Sequence, residues 1–119
     1  MTESREKAIK RLKTLAYWFM GEMLKWEEKG ESEKEAFEKA KEAGHPVIMI
    51  STADNNARVM KSCMKEARKA AEFLKDEKND IEEWQIAGIN AMFDQCNKEN
   101  IVPYDMPTAI TGLLCMQYQ

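Results

Sequence analysis

Apolar residues recur every three or four positions along most of this 119-residue chain, which is the spacing of one face of an α-helix. The pattern is clearest near the N-terminus, in Ala8, Leu12, Leu15, Ala16, Phe19, Met23 and Trp26. With only five glycines and three prolines, the chain is poor in the residues that a turn-rich β protein needs. The sequence therefore predicts an all-α fold, a compact bundle of four to five helices in a single domain spanning residues 1–119.

Capping residues predict where the first two helices begin and end. Thr2 or Ser4 can cap the first helix, and Gly30 follows its last apolar residues as a stop signal. Ser32 and Glu35 then form a capping-box pattern, which predicts a short, highly charged second helix that ends at Gly44.

Three further helices follow in the second half of the chain. We predict a helix that Thr52 or Asp54 caps and that ends near Lys75, and another over Ile81–Asn97, capped by Asn79 or Asp80. Thr108 is the predicted cap of a strongly apolar helix near the C-terminus, which must pack on the body or on a second subunit.

Residues 46–51 form the least helical stretch, because β-branched residues follow Pro46. Three interpretations are open: a buried extended connector, a strand paired across a dimer, or an early helix start with Pro46 at its first position. We favour the short extended connector.

Two of the predicted helices have a second apolar strip. Tyr17, Gly21 and Leu24 lie almost opposite the main stripe of the first helix, and the helix over 81–97 has a second strip at Trp84, Gly88 and Ala91. A helix with two apolar sides lies between two layers or contacts another chain. We therefore predict a homodimer, with partner contacts at the large side chains that dominate interfaces, Tyr17, Trp18, Leu24 and Trp84.

Charge is distributed unevenly around a total of −3. Residues 1–25, 26–44, 45–75 and 76–119 have net charges of +3, −3, +3 and −6. Within the third segment, Arg58, Lys61, Lys65 and Arg68 recur at helical spacing, and Asn55 and Asn56 precede them near a helix N-terminus. This line is either a solvated face that bridges to the acidic fourth helix or an anion-binding site for a nucleotide or nucleic acid.

Residues suited to catalysis are sparse. His45 is the sole histidine and lies between Gly44 and Pro46, while Cys63, Cys96 and Cys115 show no metal-ligand spacing. We therefore predict no catalytic residue, no cofactor and no metal site. The unpaired cysteine pattern and the charged N-terminus favour a cytoplasmic protein without a membrane segment.

These observations together predict a small non-enzymatic interaction or regulatory module. We expect it to bind another macromolecule, most simply a protein, through apolar and aromatic helix faces as a homodimer. The alternative is a binder of a phosphorylated ligand, nucleotide or nucleic acid, through the basic line.

Overall fold

The structure is a computed structural model that describes residues 1–48, 52–101 and 104–115. Within these ranges the chain forms four helices and no strand. They are α1 (Glu3–Glu42), α2 (Thr52–Lys75), α3 (Glu83–Glu99) and α4 (Met106–Leu113). The predicted all-α bundle of four to five helices is confirmed.

Helix α1 is much longer than the sequence pattern predicts. It begins as expected, with the Thr2 hydroxyl accepting a hydrogen bond from the backbone N–H of Arg5 at 3.2 Å. It then continues through Gly30 for 40 residues, so the predicted stop at Gly30 and the predicted second helix beginning at Ser32 are wrong. At about 1.5 Å per residue, α1 alone accounts for most of the 63 Å length of the molecule.

Gly30 lies inside a helix because it packs closely against the first turn of α2. It is buried, and a Cβ added there would lie 2.6 Å from Oδ1 of Asp54 and 3.7 Å from Cβ of Ala53. Lys34, one turn further along α1, forms an ion pair with the same Asp54 carboxylate at 3.4 Å. This close helix packing outweighs the cost of about 1 kcal/mol that glycine imposes on a helix interior.

Two glycines of α1 should therefore respond differently to the same substitution. Nothing lies within 4 Å of a Cβ added at Gly21, so Gly21→Ala should raise the free energy of unfolding by about 1 kcal/mol through helix propensity alone. Gly30→Ala must displace the Asp54 carboxylate, so it should gain much less or lose stability. Urea denaturation of both variants measures this difference. Equal stabilisation would show that α1 and α2 do not approach closely at Gly30.

Helices α1 and α2 pack along each other in antiparallel directions and form most of the core. Arg5 at the start of α1 caps the other end of α2: its guanidinium donates to the carbonyl of Leu74 at 2.8 Å and to that of Asp76 at 3.0 Å. Small residues on α2 allow the two helices to pack closely. The fully buried side chains of this interface include Ala8, Leu12, Phe19, Ala67, Ala70 and Leu74.

Helix α3 begins at Glu83, two residues later than predicted. The residue that precedes the helix is Glu82, not Asn79 or Asp80. Its backbone N–H donates to the Gln85 side chain at 2.8 Å. Asn79 instead donates from its side-chain amide to the carbonyl of Phe73 at 2.9 Å, which closes the turn after α2. The predicted caps at Asn79 and Asp80 are therefore wrong.

Helix α4 begins at Met106, with Pro107 in its first turn, so the predicted cap at Thr108 is also wrong. The Thr108 and Thr111 hydroxyls bind the two carboxylate oxygens of Glu66 on α2, each at 3.1 Å. The apolar α4 thus packs on the body of its own chain, where Ile110 is fully buried.

Arg11 connects α3 to α1. Its guanidinium donates to the carbonyl of Asn90 at 3.0 Å and to the carboxylate of Asp94 at 2.6 Å, and it stacks over the ring of Phe93. This side-chain hydrogen bond from Arg11 holds the pKa of Asp94 below its ordinary value of 3.8.

The lowered pKa of Asp94 predicts how this contact responds to acid. A carboxylate with a lowered folded-state pKa stabilises the fold above its unfolded pKa, and this contribution disappears as pH falls through the folded value. Wild type should therefore be more stable than Asp94→Asn near neutral pH, and the difference should shrink as pH falls below about 3.8 and vanish once pH is below the folded-state pKa. Thermal unfolding from pH 7 to pH 2.5 measures this. A difference that does not change with pH would contradict the ion pair.

The connector after α1 is described only in part. His45–Ile48 lie outside any helix, and Ile48 is 90% exposed, so the buried position predicted for this stretch is wrong where it is described. The rest of the predicted connector, residues 49–51, lies outside the described residues.

Candidate partner-binding face

Helices α3 and α4 cover only one flank of the α1–α2 pair. On α1, the residues that meet α3 include Arg11, and on α2, Glu66 meets α4. Helical geometry places a second set of residues on the opposite flank of each helix. We call this uncovered set the free face: Lys13, Tyr17, Met20 and Leu24 of α1, with Arg58, Lys61, Lys65, Arg68 and Glu72 of α2.

The α1 side of the free face exposes large apolar side chains. Tyr17 is 67% exposed and Leu24 is 54% exposed, while Met20 between them is half-buried. Their spacing of three and four residues aligns them along about two turns of helix. The second apolar strip predicted for this helix therefore has no cover from the described part of the chain.

The α2 side of the free face is a line of cations. Arg58, Lys61, Lys65 and Arg68 are all exposed, and none forms an ion pair with another described residue. The predicted bridge from this line to the acidic helix over 81–97, which is α3, is wrong, because none of these cations pairs with a described carboxylate of α3. Helix α3 packs on α1 and α4, on the flank of the α1–α2 pair opposite the basic line.

The apolar line and the basic line adjoin each other. Lys13 and Tyr17 of α1 and Arg68 and Glu72 of α2 line one shallow cleft of about 270 Å³. One surface thus combines members of two predicted sets, the apolar contact residues Tyr17 and Leu24 and the four cations of α2. Four cations beside three apolar side chains suit an acidic partner with an apolar strip.

Two predicted contact residues lie elsewhere. Trp18 is half-buried on the α3 side of α1, where its ring makes edge contacts with Phe19 and Tyr104 at centroid distances of 5.3 and 5.8 Å. Trp84 lies on α3, is 60% exposed, and its indole N–H donates to the Glu82 carboxylate. Neither residue belongs to the free face.

The predicted residues Asn55 and Asn56 lie in the first turn of α2, beside the Lys34–Asp54 ion pair. With a rise of about 1.5 Å per residue, Asn55 is about 20 Å from Arg68 along the helix. One phosphate cannot contact both. Asp54 also places a negative charge at this N-terminus, which disfavours an anion there.

The second strip of α3 is covered in part by the chain itself. Leu113 of α4 packs against Gly88, where an added Cβ would lie 3.0 Å from a Leu113 methyl. Trp84 and Ala91 remain exposed. A second subunit is therefore not needed to explain the glycine of this strip.

The described residues contain no group of three or more histidine, cysteine or acidic side chains that could hold a metal ion. Burial, followed by the nearby Glu66 carboxylate, raises the pKa of the Cys63 thiol, which points towards the carbonyl of Tyr104. This lowers the thiolate fraction and hence the nucleophilicity of Cys63 at neutral pH. None of the described helices is long and apolar enough to cross a bilayer.

Comparisons with protein-family models, with curated proteins and with solved structures find no match to this chain.

Sequence reasoning missed Lys13 and Met20 as members of the free face. Both follow from Tyr17 by helical steps of four and three, so the spacing itself was a usable signal. The adjacency of Tyr17 to Arg68 was not readable, because it depends on how α1 and α2 are aligned with each other.

Proposed function

We propose that this protein is a non-enzymatic interaction module whose free face binds an acidic region of another protein. The supporting observation is that Tyr17 and Leu24 are exposed on one line of α1, and that Tyr17 lines a cleft together with Arg68 of the basic line of α2. Large apolar side chains provide affinity when a partner buries them, and the cations favour partners of opposite charge. An apolar line spaced at three and four residues suits a partner helix laid along it.

The homodimer predicted from the sequence would use the same free face in place of the acidic partner, and the two differ in their salt dependence. An isologous pairing whose two-fold axis crosses the helices at a right angle stacks the two apolar lines on each other and also the two basic lines. Such a dimer should be weak at low salt and strengthen as salt screens the like charges. Binding of an acidic partner should show the opposite trend.

The second candidate function is binding of a phosphorylated ligand, either nucleotide or nucleic acid. The observation that favours it is the exposure of all four cations on α2 without an ion pair among the described residues. For nucleic acid, the logarithm of the binding constant would fall linearly with the logarithm of the salt concentration. It would depend on Lys61 and Arg68 far more than on Leu24.

Light scattering coupled to size exclusion, at about 50 mM and 500 mM salt, should be the first experiment. A dimer that strengthens with salt would identify a second copy on the free face. If the protein is monomeric, affinity capture from a lysate with wild type and with Tyr17→Ala/Leu24→Ala tests the acidic partner. Fluorescence polarisation with a labelled 20-nucleotide DNA strand tests the second candidate. A monomer whose captured proteins are unchanged in the double variant would refute the proposed function.

A further inference from the structure

A second concave surface lies on the opposite side of α1, between α1 and α3. It is a cleft of about 380 Å³, within the range of small-molecule sites, which extends from about 300 to 1,000 Å³. Its apolar wall consists of Leu15, Trp18, Phe93, Cys96 and Ile101. It shares no residue with the free face.

The apolar wall of the cleft is firmly positioned. Leu15 and Phe93 belong to the buried core, and the Trp18 ring is held by edge contacts with Phe19 and Tyr104. Ile101 closes one end after α3, and its side chain is 53% exposed. A preformed apolar surface of this kind binds an apolar ligand without having to reorganise first.

The polar groups that line the cleft differ in whether they are free to bind a ligand. The guanidinium of Arg11 is already engaged by the Asn90 carbonyl and the Asp94 carboxylate. Lys10 is exposed and forms no ion pair with a described residue, so its ammonium is the available positive charge at the mouth. Asn97 adds a side-chain amide to the same rim, whereas the Thr14 hydroxyl already donates to the Lys10 carbonyl at 3.0 Å.

We propose that this cleft binds a small amphipathic carboxylate, with the apolar body against Trp18, Phe93 and Ile101 and the carboxylate at Lys10. The wall provides apolar burial, and the single available cation selects one negative charge. The Asn97 amide can donate to an oxygen atom of the same head group. This site is independent of the proposed function, since a partner on the free face leaves the cleft open.

The test is a fluorescence titration of the whole protein with the aromatic sulfonate dye 8-anilinonaphthalene-1-sulfonate, followed by displacement with decanoate. We expect saturable 1:1 binding, full displacement by decanoate, and weaker displacement by the neutral analogue decanol. Ile101→Trp, at an exposed position, should fill the cleft and abolish binding. Lys10→Glu should weaken decanoate binding by about fivefold, as expected for a reversed exposed charge, whereas Lys10→Arg should retain it.

Lys13→Glu is the matched control, because it makes the same charge change one turn away on the free face and should leave decanoate binding unchanged. Circular dichroism of each variant verifies that it is folded. Three results would each overturn the proposal: no displaceable binding to wild type, unchanged binding in Ile101→Trp, or equal losses in Lys10→Glu and Lys13→Glu. None of them bears on whether a protein binds the free face.

Discussion

Phe19→Ala should lower the free energy of unfolding by about 3–5 kcal/mol, the largest loss that we expect from a single truncation in this chain. Phe19 is fully buried in the core and is the largest fully buried side chain among the described residues. Its truncation removes apolar burial and leaves a cavity that the rigid helix pair cannot fill. Urea denaturation at a protein concentration where the chain is monomeric measures this loss.

Tyr17→Ala is the matched control for Phe19→Ala. It removes an aromatic ring two residues earlier in the same helix, but from a side chain that is 67% exposed. The expected change is within about 0.5 kcal/mol, as is usual for exposed positions. Comparable losses in both variants would mean that Tyr17 is buried in the folded protein, which would contradict the free face as described.

The second large effect is expected in binding. Tyr17→Ala combined with Leu24→Ala should weaken the interaction with the partner by about a hundredfold or more, since each anchor of an interface is worth about 2 kcal/mol and each 1.4 kcal/mol is a factor of ten. The interaction is measured by calorimetric titration with the captured partner, or by sedimentation equilibrium if light scattering shows a dimer. Because both side chains are exposed, the double variant should keep its stability.

Trp84→Ala provides the control for that loss. It removes a large aromatic side chain of similar exposure, but from α3, which lies on the other flank of α1. Affinity should therefore be unchanged. A loss of affinity in Trp84→Ala that matches the double variant would place the interface on α3 and refute the free face.

The double variant Lys61→Glu/Arg68→Glu separates the contribution of the charges to affinity from that of the apolar anchors. Its effect on affinity should shrink at high salt.

The sequence predicted the helical class and the existence of α2, α3 and α4, because each has an apolar stripe at helical spacing. The end of α2 at Lys75 was predicted correctly. The wrong predictions concern Gly30 and the caps of α3 and α4. Gly30 is a stop signal by local propensity, yet tertiary packing against Ala53 and Asp54 keeps the helix continuous. Thr108 has a capping side chain, yet it bonds Glu66 from inside α4.

The candidate site was predicted in parts. Tyr17 and Leu24 were recognised as a second strip, and Arg58, Lys61, Lys65 and Arg68 as a basic line, since each set lies on one helix with a fixed period. Their union on one surface was not predictable. It depends on the alignment of α1 with α2, which the Gly30–Asp54 contact and the Arg5 hydrogen bonds at opposite ends establish.

The sequence by itself determined what lies along each helix: the apolar stripes, the basic line and the acidic side chains of residues 76–119. These are local properties, because the helical period is set by the backbone and acts over a few residues. The tertiary structure alone decided which flanks are covered. α3 packs on α1 and α4 packs on α2 through contacts between residues far apart in sequence, such as Arg11 with Asp94. The free face is what those long-range contacts leave exposed.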